Sequence, residues 1–176
     1  MQSMATLCLS CAALLSSSGL AAQSSYFSDP GNSPYISDKP SPSPSRRIHW
    51  LSHYSEAVAL SQSTSKPILV LFTGTSWCPA CIKLEREVLQ HPEFAQAVSQ
   101  RFIFLKAEFP DYSEAAVIAS PFKPLLDRYR IDAFPTIIVI NANGQELYTV
   151  NYREGGPHVY ARELLQKLHQ TNSNNP

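Results

Sequence analysis

Three uninterrupted apolar runs punctuate the chain: Ile68-Leu69-Val70-Leu71-Phe72, Phe102-Ile103-Phe104-Leu105 and Ile137-Ile138-Val139-Ile140. Short continuous runs of this kind read as strands covered on both faces. After the first run, Cys81, Leu84 and Val88 recur at i, i+3 and i+7, with Lys83, Glu85, Arg86 and Glu87 interleaved, which predicts an amphipathic helix. An earlier helix is predicted over Ser55–Ser61. His91-Pro92 ends the cysteine helix, and Pro92 opens another, with Phe94, Ala97 and Val98 facing inward. Ala115 to Ala119 forms a brief helix. Ser120-Pro121 resembles the start of a further one, carrying Leu125, Leu126 and Tyr129 on one face. Asn141-Ala142-Asn143-Gly144 predicts a hairpin turn, because Asn and Gly tolerate positive φ, and Glu146–Asn151 returns as an antiparallel strand. A last helix opens after Gly155-Gly156-Pro157, with Tyr160, Leu164 and Leu168 on its apolar side. The element order predicts an α/β fold, a central mixed β-sheet with helices on both faces.

The chemistry is concentrated where the first strand gives way to the helix, at Ser76-Trp77-Cys78-Pro79-Ala80-Cys81. A C-x-x-C pair at a helix start makes a reactive dithiol: free N–H groups and the dipole favour the thiolate of Cys78. Cys81, one turn on, is close enough to close a disulfide with it or to resolve a mixed one. Pro79 suits the first helical position, and it leaves the Ala80 N–H as a donor to the sulfur. Two blander readings stand beside this one, half of a zinc site or inert buried thiols. A structural zinc site needs a second ligand pair, and the other cysteines, Cys8 and Cys11, lie far upstream. The histidines His49, His53, His91, His158 and His169 show no metal spacing, so neither metal nor cofactor is expected.

The ends of the chain change the setting. Residues 1–22 hold no charged side chain, carry the apolar run Cys11–Leu15, and end in small residues that fit an export-peptidase site after Ala21 or Ala22. The run is too short to span a bilayer. Residues 23–47 are rich in Ser and Pro and read as a flexible tether. The folded domain is expected over 48–171, with a disordered tail over 172–176. These features predict a signal peptide and a periplasmic protein. Lys plus Arg and Asp plus Glu balance at 14 each, which removes any field directed at nucleic acid or an anionic membrane.

Trp77-Cys78-Pro79-Ala80-Cys81, followed about fifty residues later by Phe134-Pro135-Thr136 before an apolar strand, resembles the thioredoxin superfamily. The run Phe72 to Cys78, with Lys83-Leu84-Glu85 and Glu87-Val88 after it, is similar to a narrower group of exported thioredoxin-like proteins, among them DsbH-type disulfide reductases. The resemblance covers roughly residues 48–170. It implies a thioredoxin-like fold and a redox-active Cys78–Cys81 pair. It also implies a cis peptide before Pro135 and a substrate groove supported by Trp77, Pro79, Ala80, Phe134 and Pro135. The implied activity is a protein-disulfide reductase acting as a monomer on disulfide-containing exported proteins, re-reduced by a membrane-bound or exported dithiol donor. The same site run in reverse would be an oxidase or isomerase, and a redox-inert peptide-binding module is the reading from another class.

Three departures stand out. Leu71 occupies the place of the buried acid that thioredoxins carry beneath the disulfide. Glu108 or Lys106 is a conceivable substitute, with a solvated strand end the expected role of each. Phe134 is bulkier than the usual residue before the cis-proline and should narrow the groove. Residues 111–124 are longer than the matching segment, and Tyr112 and Phe122 there either extend the contact surface or, the favoured reading, cover a core edge.

Overall fold

The structure, a computed structural model, describes residues 47–173. The signal peptide expected over 1–22, with Cys8 and Cys11, the tether up to residue 46, and residues 174–176 lie outside the described residues. Five strands form one sheet: β1 (Trp50–Leu51), β2 (Ile68–Thr73), β3 (Ile103–Glu108), β4 (Thr136–Ile140) and β5 (Glu146–Asn151). Their spatial order is β1-β3-β2-β4-β5. β3 runs parallel to β1 and β2, whereas β4 is antiparallel to β2 and to β5.

The unbroken apolar runs have a direct cause, because the central strands are covered on both sides. Leu69, Leu71, Ile137 and Val139 face one core, and Ile68, Val70, Phe72, Ile138 and Ile140 face the other. Each such side chain contributes roughly 1.5–3 kcal/mol by leaving water. The first core is closed by α2 (Pro79–Leu84), α3 (Pro92–Val98) and α6 (Gly156–Ser173), through Leu84, Phe94, Val98, Tyr160, Leu164 and Leu168. The second is closed by α1 (Tyr54–Thr64) and α5 (Lys123–Arg128), through Ala57 and Leu125, with α4 (Glu114–Ala119) leaning Val117 against it.

The cysteine helix does not continue regularly. Past α2 it passes into a π-helical turn over Glu85–Leu89, where the Gln90 N–H donates to Glu85 O at 3.0 Å. The widened turn slows the rotation of side chains around the axis, so Val88 and Leu89 are both buried, at 2% and 5% exposure.

Several boundaries differ from the sequence expectation for local reasons. β1, only two residues long, has no period to read; it is held by the Trp50 ring packed edge-on to Phe104 at 5.3 Å. α1 runs to Thr64, where polar side chains bond backbone carbonyls: Thr64 Oγ1 donates to Leu60 O at 2.6 Å, and Ser61 Oγ to Lys66 O at 2.6 Å. α5 begins later than Ser120-Pro121 suggests, because Ser120 Oγ accepts the Phe122 N–H at 3.2 Å in a preceding turn. α6 continues to Ser173, past the expected boundary at 171, with Ser173 Oγ donating to His169 O at 3.0 Å. The Asn141–Gly144 hairpin forms with Gly144 at φ 71°, and the Tyr129 hydroxyl donates to its carbonyl at 3.0 Å.

Candidate active site

β2 delivers the chain to the rim of the sheet at Thr73, and the next four residues turn it into α2. The Trp77 and Cys78 N–H groups both donate to Gly74 O, at 3.2 and 2.8 Å, which sets the entry angle of the helix. Cys78 is the N-cap, in extended backbone conformation, and Pro79 fills the first turn. Cys78 and Cys81 form a disulfide with their Cα atoms 5.2 Å apart. The sulfur of Cys78 accepts the Cys81 N–H at 3.2 Å. This differs from the expected Ala80 donor: an N-cap side chain reaches the amide three residues on. Both cysteines are buried, at 5% and 1% exposure, while Pro79 is exposed and Ala80 half-buried.

On the far side of the disulfide lies the loop ahead of β4. The Phe134–Pro135 peptide bond is cis, and the Phe134 carbonyl oxygen sits 3.7 Å from Cys78 Sγ. Pro135 is buried, and Thr136 Oγ1 donates to Ala133 O at 2.8 Å, fixing that loop from within. An aromatic wall runs beside the sulfurs. The Trp77 ring meets Phe134 edge-on at 5.5 Å and Tyr112 at 4.9 Å, and Phe134 packs on Phe109 at 5.3 Å. Trp77 Nε1 donates to Phe109 O at 2.7 Å. Gly74 makes room for this indole: a Cβ there would lie 2.3 Å from Trp77 Cε2.

Several sequence expectations change here. Phe122 is buried in the core, but Tyr112 is 69% exposed and rests on Trp77, so it does not cover a core edge. Neither Lys106 nor Glu108 is a solvated strand end. Lys106 pairs with Leu71 across the strands, bonds the Glu85 carboxylate at 3.0 Å and lies 5.3 Å over the Trp50 ring. Glu108 accepts two hydrogen bonds from Thr75. Leu71 is buried, at 1% exposure, in the core that also holds Leu84 of the cysteine helix. Across the other flank, Lys83 bonds Glu154 at 2.5 Å, which raises the Lys83 pKa and lowers that of Glu154.

The arrangement is a surface site. The dithiol sits at the rim where β2 ends, whereas a cavity of about 530 Å³, lined by residues including Lys66, Pro67, Asn141 and Leu168, lies at the opposite end of the sheet. Among the described residues, no cluster of three or more His, Cys, Asp or Glu side chains is placed to hold a metal ion.

A sequence profile described as thioredoxin-like matches residues 49–142, more than half of the chain. The chain belongs to the thioredoxin-like family. Within it, the chain is similar to the disulfide bond reductase DsbH of Chlamydia pneumoniae, 29% identical over 122 residues that cover 69% of this chain and 73% of that protein. The thioredoxin-related protein DsbJ of the same organism is 29% identical over 104 residues, which span 58% of this chain and only 30% of DsbJ. A solved structure described as DsbH oxidoreductase superposes with a TM-score of 0.62 at 28% identity, covering 70% of this chain and 85% of that one. A thioredoxin from Thermus thermophilus, at 22% identity and a TM-score of 0.58, shares the fold and covers 73% of this chain and 93% of its own. This is therefore a DsbH-type member of the thioredoxin superfamily, and the Cys78–Cys81 pair on this fold makes it a thiol–disulfide oxidoreductase.

Proposed function

We propose that the protein is an exported disulfide reductase in which Cys78 is the nucleophile and Cys81 the resolving thiol. The observation that carries this is the Cys81 N–H held on Cys78 Sγ at 3.2 Å, at the mouth of a helix. That donor stabilises negative charge on one sulfur of the pair. The Cys78 thiolate attacks one sulfur of a substrate disulfide, forming a mixed disulfide and expelling the other substrate sulfur as thiolate. The Cys81 thiolate then attacks Cys78 Sγ, closes the Cys78–Cys81 bond and expels the second substrate thiolate. Two electrons pass to the substrate, and a second dithiol protein, in the membrane or exported with this one, must return them. The groove beside Phe134 and Pro135, walled by Trp77, receives the segment carrying the disulfide.

Direction follows from what lies between the cysteines. Pro79 and Ala80 place no charged or hydrogen-bonding side chain by the thiolate, so the reduced form gains less than in a strong oxidant. The expected potential is roughly −200 to −270 mV, readable by equilibrating the protein against glutathione and quantifying the Cys78–Cys81 disulfide. A value near about −120 mV would make the protein an oxidant and overturn the proposed direction. Export rests on the charge-free residues 1–22, the Ser/Pro-rich tether and the similarity to DsbH. Intact-mass analysis of protein from its native host should give a chain starting at Ala22 or Gln23; a full-length cytosolic form would refute export.

A further inference from the structure

The loop that carries the chain into the cysteine helix is fastened along its length to the strand beside it. The Phe109 N–H donates to Thr73 O at 2.8 Å, Ser76 Oγ to Pro110 O at 2.6 Å, and Trp77 Nε1 to Phe109 O at 2.7 Å. At the centre, the half-buried Glu108 accepts both the Thr75 N–H, at 2.7 Å, and the Thr75 hydroxyl, at 2.8 Å. Both bonds end on one oxygen, Oε1. The remaining fastenings of the loop use neutral groups, so this charged acceptor is the strongest of them. Thr75 follows Gly74, whose carbonyl holds the N–H groups of Trp77 and Cys78.

We infer that Glu108 is a positioning residue for the dithiol: its carboxylate fixes Thr75, which fixes the Gly74 carbonyl, which sets Cys78 so that its sulfur faces the Cys81 N–H. The inference rests on the reading of Cys78 as the nucleophile. A role through the bare charge of Glu108 makes the opposite prediction. A nearby carboxylate disfavours a thiolate, so removing the charge alone would lower the Cys78 pKa and speed its reactions. Removing the fastening lets Cys78 drift from its donor, which raises that pKa and slows them. Glutamine keeps an oxygen acceptor for both Thr75 donors and discards the charge, so the two roles separate cleanly.

The test uses the full chain, reduced, with iodoacetamide as probe. The carbamidomethylation rate of Cys78 is followed across pH by peptide mass spectrometry, which resolves it from Cys81, Cys8 and Cys11. Glu108→Ala should lose roughly tenfold in rate at neutral pH, with the midpoint of the pH profile moved upward, whereas Glu108→Gln, which keeps the acceptor in a weaker neutral form, should lose only about twofold. Thr75→Val, which keeps the backbone bond and removes the hydroxyl, should fall between them and guards against a Glu108→Ala chain that fails to fold. Unchanged rates in Glu108→Ala and Thr75→Val, or faster rates in both Glu108 variants, would overturn the positioning role, as would Glu108→Gln slowed as much as Glu108→Ala. Failure of the parent reading looks different: wild-type Cys78 would then react no faster than Cys81 in the same sample.

Discussion

Adding one methyl group at Gly74 should disturb the active site through a single neighbour. A Cβ there would lie 2.3, 2.4 and 2.6 Å from three atoms of the Trp77 indole, and these are the three nearest atoms to it. Such separations force the ring to move. Displacing it forfeits the Nε1–Phe109 O bond, worth about 0.5–1.5 kcal/mol, and weakens two aromatic pairs, with Phe134 and Tyr112, worth about 0.5–1.5 kcal/mol each. The Tyr112 pair is solvent-facing and belongs at the low end, so the loss is about 2–3 kcal/mol. Gly→Ala also restricts the unfolded chain, which returns about 0.4–1 kcal/mol where the backbone conformation permits it. The net expectation for Gly74→Ala is a loss of about 1–2.5 kcal/mol, or a melting temperature lower by about 3–10 °C for a domain of this size. Thermal and urea unfolding followed by far-ultraviolet circular dichroism supply the numbers. The decisive comparison is the same substitution in a Trp77→Ala background, where no indole remains to clash. There Gly74→Ala should be neutral or slightly stabilising, a reversal of sign. An equal loss in both backgrounds would refute the steric reasoning and place the cost in the backbone of the loop.

Two other outcomes are expected. Cys81→Ser should accumulate mixed disulfides between Cys78 and partner proteins, visible on non-reducing gels and by mass spectrometry, while Cys78→Ser should not; equal trapping by both would reverse the division of roles. Alkaline pH should weaken the fold. Burial pushes the Tyr129 hydroxyl up to about 12 and raises Tyr148 as well. With folded values above the unfolded one, their stabilisation is complete below about pH 10 and is lost as pH rises toward about 12. Denaturant titrations should therefore show unfolding free energy falling across that window. Tyr148→Phe should reduce the slope, and a flat profile in the wild type would contradict the burial argument.

What the sequence disclosed divides along physical lines. Strands covered on both faces declare themselves through unbroken apolar runs, and the cysteine pair sits where such a run ends, so the fold and the dithiol were both legible. Cys81, Leu84 and Val88 are buried as their spacing required, but Leu89 is buried too, because an α-helical period does not anticipate a π-helical turn. The packing of Gly74 against Trp77 depends on the indole folding back over the chain, which composition cannot report. The bond from Thr75 to Glu108 was hidden for a related reason. The two residues are 33 positions apart, and only the parallel pairing of β2 with β3 brings Thr73 beside Glu108. Tyr112 misled because an aromatic ring counts as core material by composition, whereas this one, flanked by Asp111 and Ser113, lies on the outer side of the half-buried Trp77.

The widened turn at Glu85–Leu89 also bears on how kindred chains should be compared. A turn closed from residue 90 to residue 85 accommodates one residue more than a regular one before the chain reaches His91-Pro92. A relative whose cysteine helix is α-helical throughout would be one residue shorter between its second cysteine and the break that follows. Aligned without a gap there, its inward-facing positions downstream would be set against outward-facing ones of this chain. The gap belongs inside a helix, where alignments ordinarily forbid one.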